Sequence, residues 1–226
     1  TATLTDRRIA GFGFSQKTEP DLGAFLRDDN LVLRTEQREE ILMATEELAL
    51  PGRHNLYNSL AAAMAARVME VGTASIRESL MTFEGVPHRL ELVKEVDGVR
   101  YVNDSKATNV NSVWYALESY DSRVILIAGG RDKGNDYSQI AELVREKVAG
   151  IVAIGESADR VLSELGPLTP SSTRAATMAE AVAAARRLAR PGDIVLLSPA
   201  CASFDMFENY EARGEAFRLA VEELES

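Results

Sequence analysis

Two rhythms of apolar and polar residues divide the chain. From Arg7 to about Thr45, short apolar runs ("RRIAGFGF", "NLVLR", "EEILMA") are broken by Gly, Pro and Asp, a pattern that predicts strands. After "LPGRHN", Leu56, Leu60, Met64 and Val68 recur at helical spacing and predict a helix over 55–70. A second helix over 73–83 carries Ile76 and Leu80 on one face. "GVPHR" interrupts the pattern and marks a boundary between units of residues 1–86 and 87–226.

Beyond that break, "RLELVKEV" and "VRYVN" alternate as strands on either side of Asp97-Gly98, a strong two-residue hairpin signal. The pattern then becomes strand, loop, helix. "RVILIA" is followed by a helix from Tyr137, "GIVAI" by one from Ala158, and "DIVLL" by one from Phe207, with a further Ala/Arg-rich helix over 179–190. Near-continuous apolar strands alternating with helices call for a mostly parallel sheet covered on both faces, so the second unit is expected to be α/β and Rossmann-like.

Composition narrows the function. At 226 residues and 46% hydrophobic content the chain can build a core, and 35 acidic against 25 basic side chains leave a net charge of -10. Such a charge repels phosphate backbones, which argues against nucleic acid as a partner. The single cysteine, Cys201, excludes an internal disulfide framework and fits a reducing, cytoplasmic setting. No apolar run approaches the roughly 18 residues of a membrane helix. A monomer is expected.

Three loops after predicted strands are rich in polar residues: "NDSKATN" (103–109), "GGRDKGND" (129–136) and "SPACASFD" (198–205). In an open α/β sheet these loops lie at the carboxyl edge, where helix amide groups face a ligand. Lys106 and Lys133 would add ammonium groups there, and a small carboxylate could be held by such a set. The plain alternative is that Asp104, Ser105, Thr108 or Asn109 merely caps the helix at 110, and that Gly129-Gly130 merely turns the chain. A cap, however, needs no cation at the positive end of a helix dipole.

Several other motifs do not hold. "GGRDKG" lacks P-loop spacing, "GFGF" at 11–14 lacks the third glycine of a dinucleotide fingerprint, and Ser203 has no nucleophile elbow. His54 and His88 have no spaced partners for zinc, and Cys201 reads as a buried inert thiol.

"GRHNLYN" (52–58), "GVPHRLE" (85–91), "NDSKATN", "GGRDKG" and "LSPACASFDMFENYEARG" (197–214) resemble, in order and spacing, the D-glutamate-adding branch of the Mur ligase family. The resemblance covers roughly the last three quarters of the chain. It implies an ATP- and Mg2+-dependent amide ligase of peptidoglycan precursor synthesis, with D-glutamate and UDP-N-acetylmuramoyl-L-alanine as substrates. Such ligases phosphorylate the alanyl carboxylate, and the amine of D-glutamate then attacks the acyl phosphate. Transition states of this kind concentrate negative charge, which lysine, arginine and metal can stabilise.

Residue by residue, the resemblance assigns Asn55, Asn58, Arg89 and Asp104 to the nucleotide, and Lys106, with Arg89, to the transferred phosphoryl group. It assigns Thr108, Lys133, Ser203, Phe204 and Tyr210 to the D-glutamate pocket, and no protein metal ligand to this stretch. Tyr210 stands where the family commonly has Phe. The family's UDP-binding domain and P-loop have no counterpart here, so the chain is expected to be a C-terminal fragment. Its first unit would be the remnant of a central α/β ATP-binding domain, and the fragment alone would be inactive. Plainer roles stand beside these: Asn55 or Asn58 as helix caps, Arg89 as a surface partner of Glu91, Phe204 and Tyr210 as core aromatics that also wall the pocket. A non-catalytic module binding nucleotide or amino acid, or a purely structural α/β domain, is the alternative reading of the whole.

Overall fold

The computed structural model describes residues 10–14, 22–35, 38–50 and 52–224, and the chain divides into two compact units, Thr1–Glu84 and Gly85–Ser226.

The first unit holds a four-stranded sheet in the order β1 (Ala10–Gly13), β2 (Leu22–Arg27), β3 (Asn30–Arg34) and β4 (Glu39–Ala44). β1 runs parallel to β2, and the other pairs are antiparallel. Of the expected "RRIAGFGF" strand, residues 7–9 lie outside the described residues. Asp28 and Asp29, at φ 47° and 57°, turn β2 into β3 as the two left-handed residues of a tight hairpin. Helices α1 (Arg53–Val68) and α2 (Thr73–Thr82) bring Leu60, Met64 and Ile76 against Leu31, Leu33 and Met43. Val68, counted on the apolar face from its spacing, is instead 52% exposed, because it ends the helix beyond the sheet-facing turns.

The second unit is a six-stranded sheet, with β5 (Glu91–Val96) and β6 (Val99–Asn103) forming the expected hairpin. Asp97 and Gly98 have φ 52° and 75°, the geometry their sequence foretold. β7 (Val124–Gly129), β8 (Val148–Ile154), β9 (Ser172–Arg174) and β10 (Ile194–Leu197) complete the order β5-β6-β10-β7-β8-β9. Every pairing except β5 with β6 is parallel.

Strand composition follows position. β7 and β10 sit inside the sheet and every residue in them is buried, whereas the three residues of the short edge strand β9 are all exposed. Period-two alternation then sorts the side chains to two faces. Val124, Leu126, Ile194 and Leu196 meet α3 (Val110–Glu118), α4 (Ala141–Lys147) and α5 (Ala158–Glu164). Ile125, Ile127, Val195 and Leu197 meet α6 (Met178–Leu188) and α7 (Tyr210–Glu222). The helix expected from Tyr137 opens as a 3-10 turn over Tyr137–Ile140, and the one expected from Phe207 begins at Tyr210, where Asn209 caps it.

β6 thus feeds a helix on one face while its neighbour β10 feeds a helix on the other. The carboxyl edge opens between them, at the crevice where α/β sheets bind ligands.

Candidate functional site

The three polar loops are tied into one rim. Asp104 N–H donates to Leu197 O (2.8 Å), Gly129 N–H to Pro199 O (2.9 Å), and Arg131 and Ala202 exchange backbone hydrogen bonds. Gly129 and Gly130 adopt φ 122° and 134°, and a Cβ on either would run into the backbone oxygen of Ile154 or Ala202. Close backbone approach, and not only turning, therefore requires glycine there.

The capping alternative is resolved by the hydrogen bonds. Asn109 caps α3, its Oδ1 accepting from Ser112 N–H at 2.9 Å. Asp104, Ser105 and Thr108 do not share that task. Asp104 is 3% exposed; its Oδ2 accepts from the Ser198 hydroxyl (2.8 Å) and its Oδ1 from Leu90 N–H (3.3 Å). Burial pushes its carboxyl up to about 7, against the opposing pull of Ser198, Leu90 and Arg89.

Beneath the rim lies Arg213 of α7, 1% exposed. It donates to Ser105 Oγ (3.0 Å), Ser105 O (2.8 Å) and Cys201 O (3.0 Å). All three acceptors are neutral, and burial lowers its pKa to about 10, which leaves it cationic at neutral pH. Nearby Asp205 favours its charge, so a buried cation with neutral acceptors stands at the base of the rim.

Above it, Lys106 Nζ donates to the Tyr210 hydroxyl at 2.7 Å and lies 4.5 Å from the centre of the Tyr210 ring. The same phenol hydrogen-bonds Glu211 and holds that carboxyl below its usual range. Lys106 N–H donates to His88 O (3.0 Å), and His88 Nδ1 accepts from Asn103 Nδ2 (3.0 Å). A Cβ on Gly214 would strike the His88 ring, so this glycine in α7 makes room for the histidine.

Of the residues singled out from sequence, Asp104, Lys106 and Tyr210 meet around the first loop. Ser203 is buried beside the Ala202 bridge to the second loop, and Thr108 is half-buried at the end of the first. Lys133 and Arg89 are exposed. Phe204 is 60% exposed and so is no core aromatic; the apolar places nearby are filled by Met206 and Phe207. Glu91 pairs with Arg218 (2.7 Å) and not with Arg89. Asn55 and Asn58 lie within α1 of the first unit, and since Gly52 is its cap, neither residue caps it. Cys201 is buried as expected.

Sequence reasoning missed Arg213, Ser198, Asn103 and Gly214. A signal existed for Arg213: it shares the i, i+4, i+7, i+8 stripe with Phe217, Ala220 and Val221, all buried. Among the described residues no three His, Cys, Asp or Glu side chains converge to hold a metal ion, and no helix is long and apolar enough to cross a membrane.

Comparison with known proteins agrees with this architecture. Residues 88–201 match the family model described as Mur ligase, glutamate ligase domain. The UDP-N-acetylmuramoylalanine--D-glutamate ligase of Salinibacter ruber is 63% identical over 219 residues, covering 97% of this chain and 48% of the relative. Its counterpart in Christiangramia forsetii is 46% identical over 211 residues, covering 93% and 47%. The chain therefore spans about half the length of the curated relatives it matches. Among solved structures, a pseudomurein peptide ligase type C from Methanothermus fervidus superposes with TM-score 0.66 at 19% identity, covering 92% of this chain and 43% of that one. A murein peptide ligase from Psychrobacter arcticus gives 0.61 at 15%, covering 96% and 47%. At those identities the likeness concerns the fold alone. With a family model matched over half its length, across a rim that carries Lys106 and Asp104 above Arg213, the chain belongs to the Mur ligase family.

Proposed function

We propose that the chain is the amino-acid-binding part of an ATP-dependent ligase that adds D-glutamate to UDP-N-acetylmuramoyl-L-alanine through an acyl phosphate. The observation that carries this reading is the convergence of Lys106, held by Tyr210, and the buried cation Arg213 at the switch point of the sheet. A dicarboxylic amino acid needs cations and hydroxyl donors together, and the first two relatives named above are D-glutamate ligases.

In this reading Lys133 and the hydroxyls of Thr108 and Ser203 hold the carboxylates of D-glutamate, while Phe204 and Tyr210 wall its carbon chain. Lys106 and Arg89 face the transferred phosphoryl group, and Asp104 with Arg89, Asn55 and Asn58 serves the nucleotide. The first unit belongs to the central ATP-binding domain and the second to the D-glutamate domain, with a cytoplasmic location for the whole. When bound, ATP supplies the phosphoryl group that activates the carboxylate. Over the described residues the chain shows no group of three His, Cys, Asp or Glu side chains placed to hold Mg2+. Its contribution is positioning and electrostatics: no nucleophilic side chain is needed, because the attacking group is the substrate amine.

Thermal unfolding of the 226-residue chain with D-glutamate, L-glutamate and succinate tests the reading. A ligand that binds only the folded state raises the melting temperature. D-glutamate at millimolar concentration is expected to raise it more than either control. Equal shifts, or none, would remove the proposed pocket. Purified alone, the chain is expected to show no ligase turnover, and turnover at the rate of a complete ligase would refute that.

A further inference from the structure

The second loop has an anchor outside the rim. Asp132 Oδ1 accepts from Gly134 N–H (2.7 Å) and Asn135 N–H (2.8 Å), closing a turn with Lys133 at its crest. Arg160 of α5 grips both ends of that turn: Nη1 donates to Asp132 Oδ2 (2.6 Å) and Nη2 to Asn135 O (2.5 Å). Its Nε donates to Glu164 Oε1 (2.7 Å), and its guanidinium lies 5.5 Å from the centre of the Tyr137 ring. Asn135 in turn donates to Ala200 O (3.1 Å), tying the turn to the third loop.

All three nitrogens of Arg160 thus donate within the protein, and both oxygens of Asp132 accept within it. Both side chains are committed to holding the turn. Burial works against the charge of Asp132, yet the amides of Asn135 and Gly134 and the guanidinium outweigh it and hold its carboxyl below the usual range. Lys133 itself is exposed on a flexible four-carbon stem, so the place its ammonium can reach depends on where the turn holds its Cα.

We infer that Arg160 is a positioning residue for the amino-acid pocket, clamping Asp132 and Asn135 so that the turn presents Lys133 to a carboxylate. The inference rests on the pocket reading proposed above. It assigns a role to α5, which contributes no residue to that reading.

A double-mutant cycle on the full 226-residue chain tests it, with D-glutamate affinity followed by nuclear magnetic resonance titration. Arg160→Met is expected to weaken binding about tenfold in the unaltered chain, and by less than about twofold once Lys133→Ala is present, because a residue acting through Lys133 has nothing left to position. Equal losses in both backgrounds, or an Arg160→Met chain with unchanged affinity, overturn the inference. If Lys133→Ala leaves affinity intact, or the unaltered chain does not bind D-glutamate, the pocket reading fails and the inference falls with it. Should Arg160→Met fail to fold, Asp132→Asn runs through the same cycle, since it keeps an acceptor for the two amides while dropping the charge that Arg160 grips.

Discussion

The first and second rim loops each follow a buried parallel strand and each carry a lysine, yet they are held in opposite ways. In the 103–109 loop, Asn103, Asp104 and Ser105 are buried, and their partners come from distant elements: Ser198, Gly214, Tyr210 and Arg213. In the 129–136 loop the ends are tied to the third loop, but the crest around Lys133 is exposed and is closed by its own Asp132 and by one guanidinium on α5. One loop is a product of the whole domain, and the crest of the other is gripped from a single surface residue. Damage to the buried residues of the first should therefore register in stability, and damage to the crest of the second, or to the half-buried Lys106, mainly in affinity.

The most severe way to break this contrast is Arg213→Met. It leaves Ser105 Oγ, Ser105 O and Cys201 O without the donor they share, a loss of at least about 3 kcal/mol by urea unfolding if each orphaned acceptor costs about 1 kcal/mol or more. The 129–136 turn should keep its amide protection in hydrogen exchange until global unfolding.

Asp104→Asn comes next, through pH. The Asp104 carboxyl ordinarily titrates near 3.8 and in the fold near 7, so between those values the folded chain binds the extra proton. Its contribution to stability is complete below the ordinary value, falls as pH rises to about 7, and is level above. An asparagine can still accept from Leu90 and donate to Ser198, so the variant should lose this decline. Relative to the unaltered chain it should gain on the order of a few kcal/mol as pH rises from 4 to 7, read from urea unfolding free energies. Parallel pH profiles for the two proteins would refute the assignment.

Gly214→Ala should cost about 1 to 2 kcal/mol, since a methyl there displaces the His88 ring and with it the Asn103 contact. The smallest effect belongs to Tyr210→Phe. It keeps the ring under Lys106 and removes the phenol that accepts from the ammonium. Melting temperature should be unchanged within about a degree, while D-glutamate affinity changes about two- to fivefold. A large stability loss in this variant would erase the distinction between a rim lysine and its buried support.

What could be read from the sequence divides along the same line. Period-two alternation and Asp97-Gly98 foretold β5, β6 and their hairpin, because strand alternation and left-handed turn residues are local properties. Lys106, Asp104 and Tyr210 were legible as a resemblance, although nothing in their spacing says that they meet. Arg213 was hidden because an arginine reads as surface, and only its place on the stripe with Phe217 and Val221 betrays burial. Ser198 and Gly214 were hidden more deeply, since a hydroxyl or a missing Cβ acquires meaning only from a partner far along the chain. Phe204 erred the other way: its apolar type suggested core, but Met206 and Phe207 take those places.

The last strand of the sheet, β10, slots between β6 and β7, and the guanidinium that floors the crevice lies 108 residues downstream of the serine it binds. During synthesis on the ribosome, β6 and β7 must therefore wait with open edges until the polypeptide that separates them emerges. Pairing so remote is slow to nucleate and leaves sticky intermediates, so this half of the molecule is where nascent chains should depend most on chaperones.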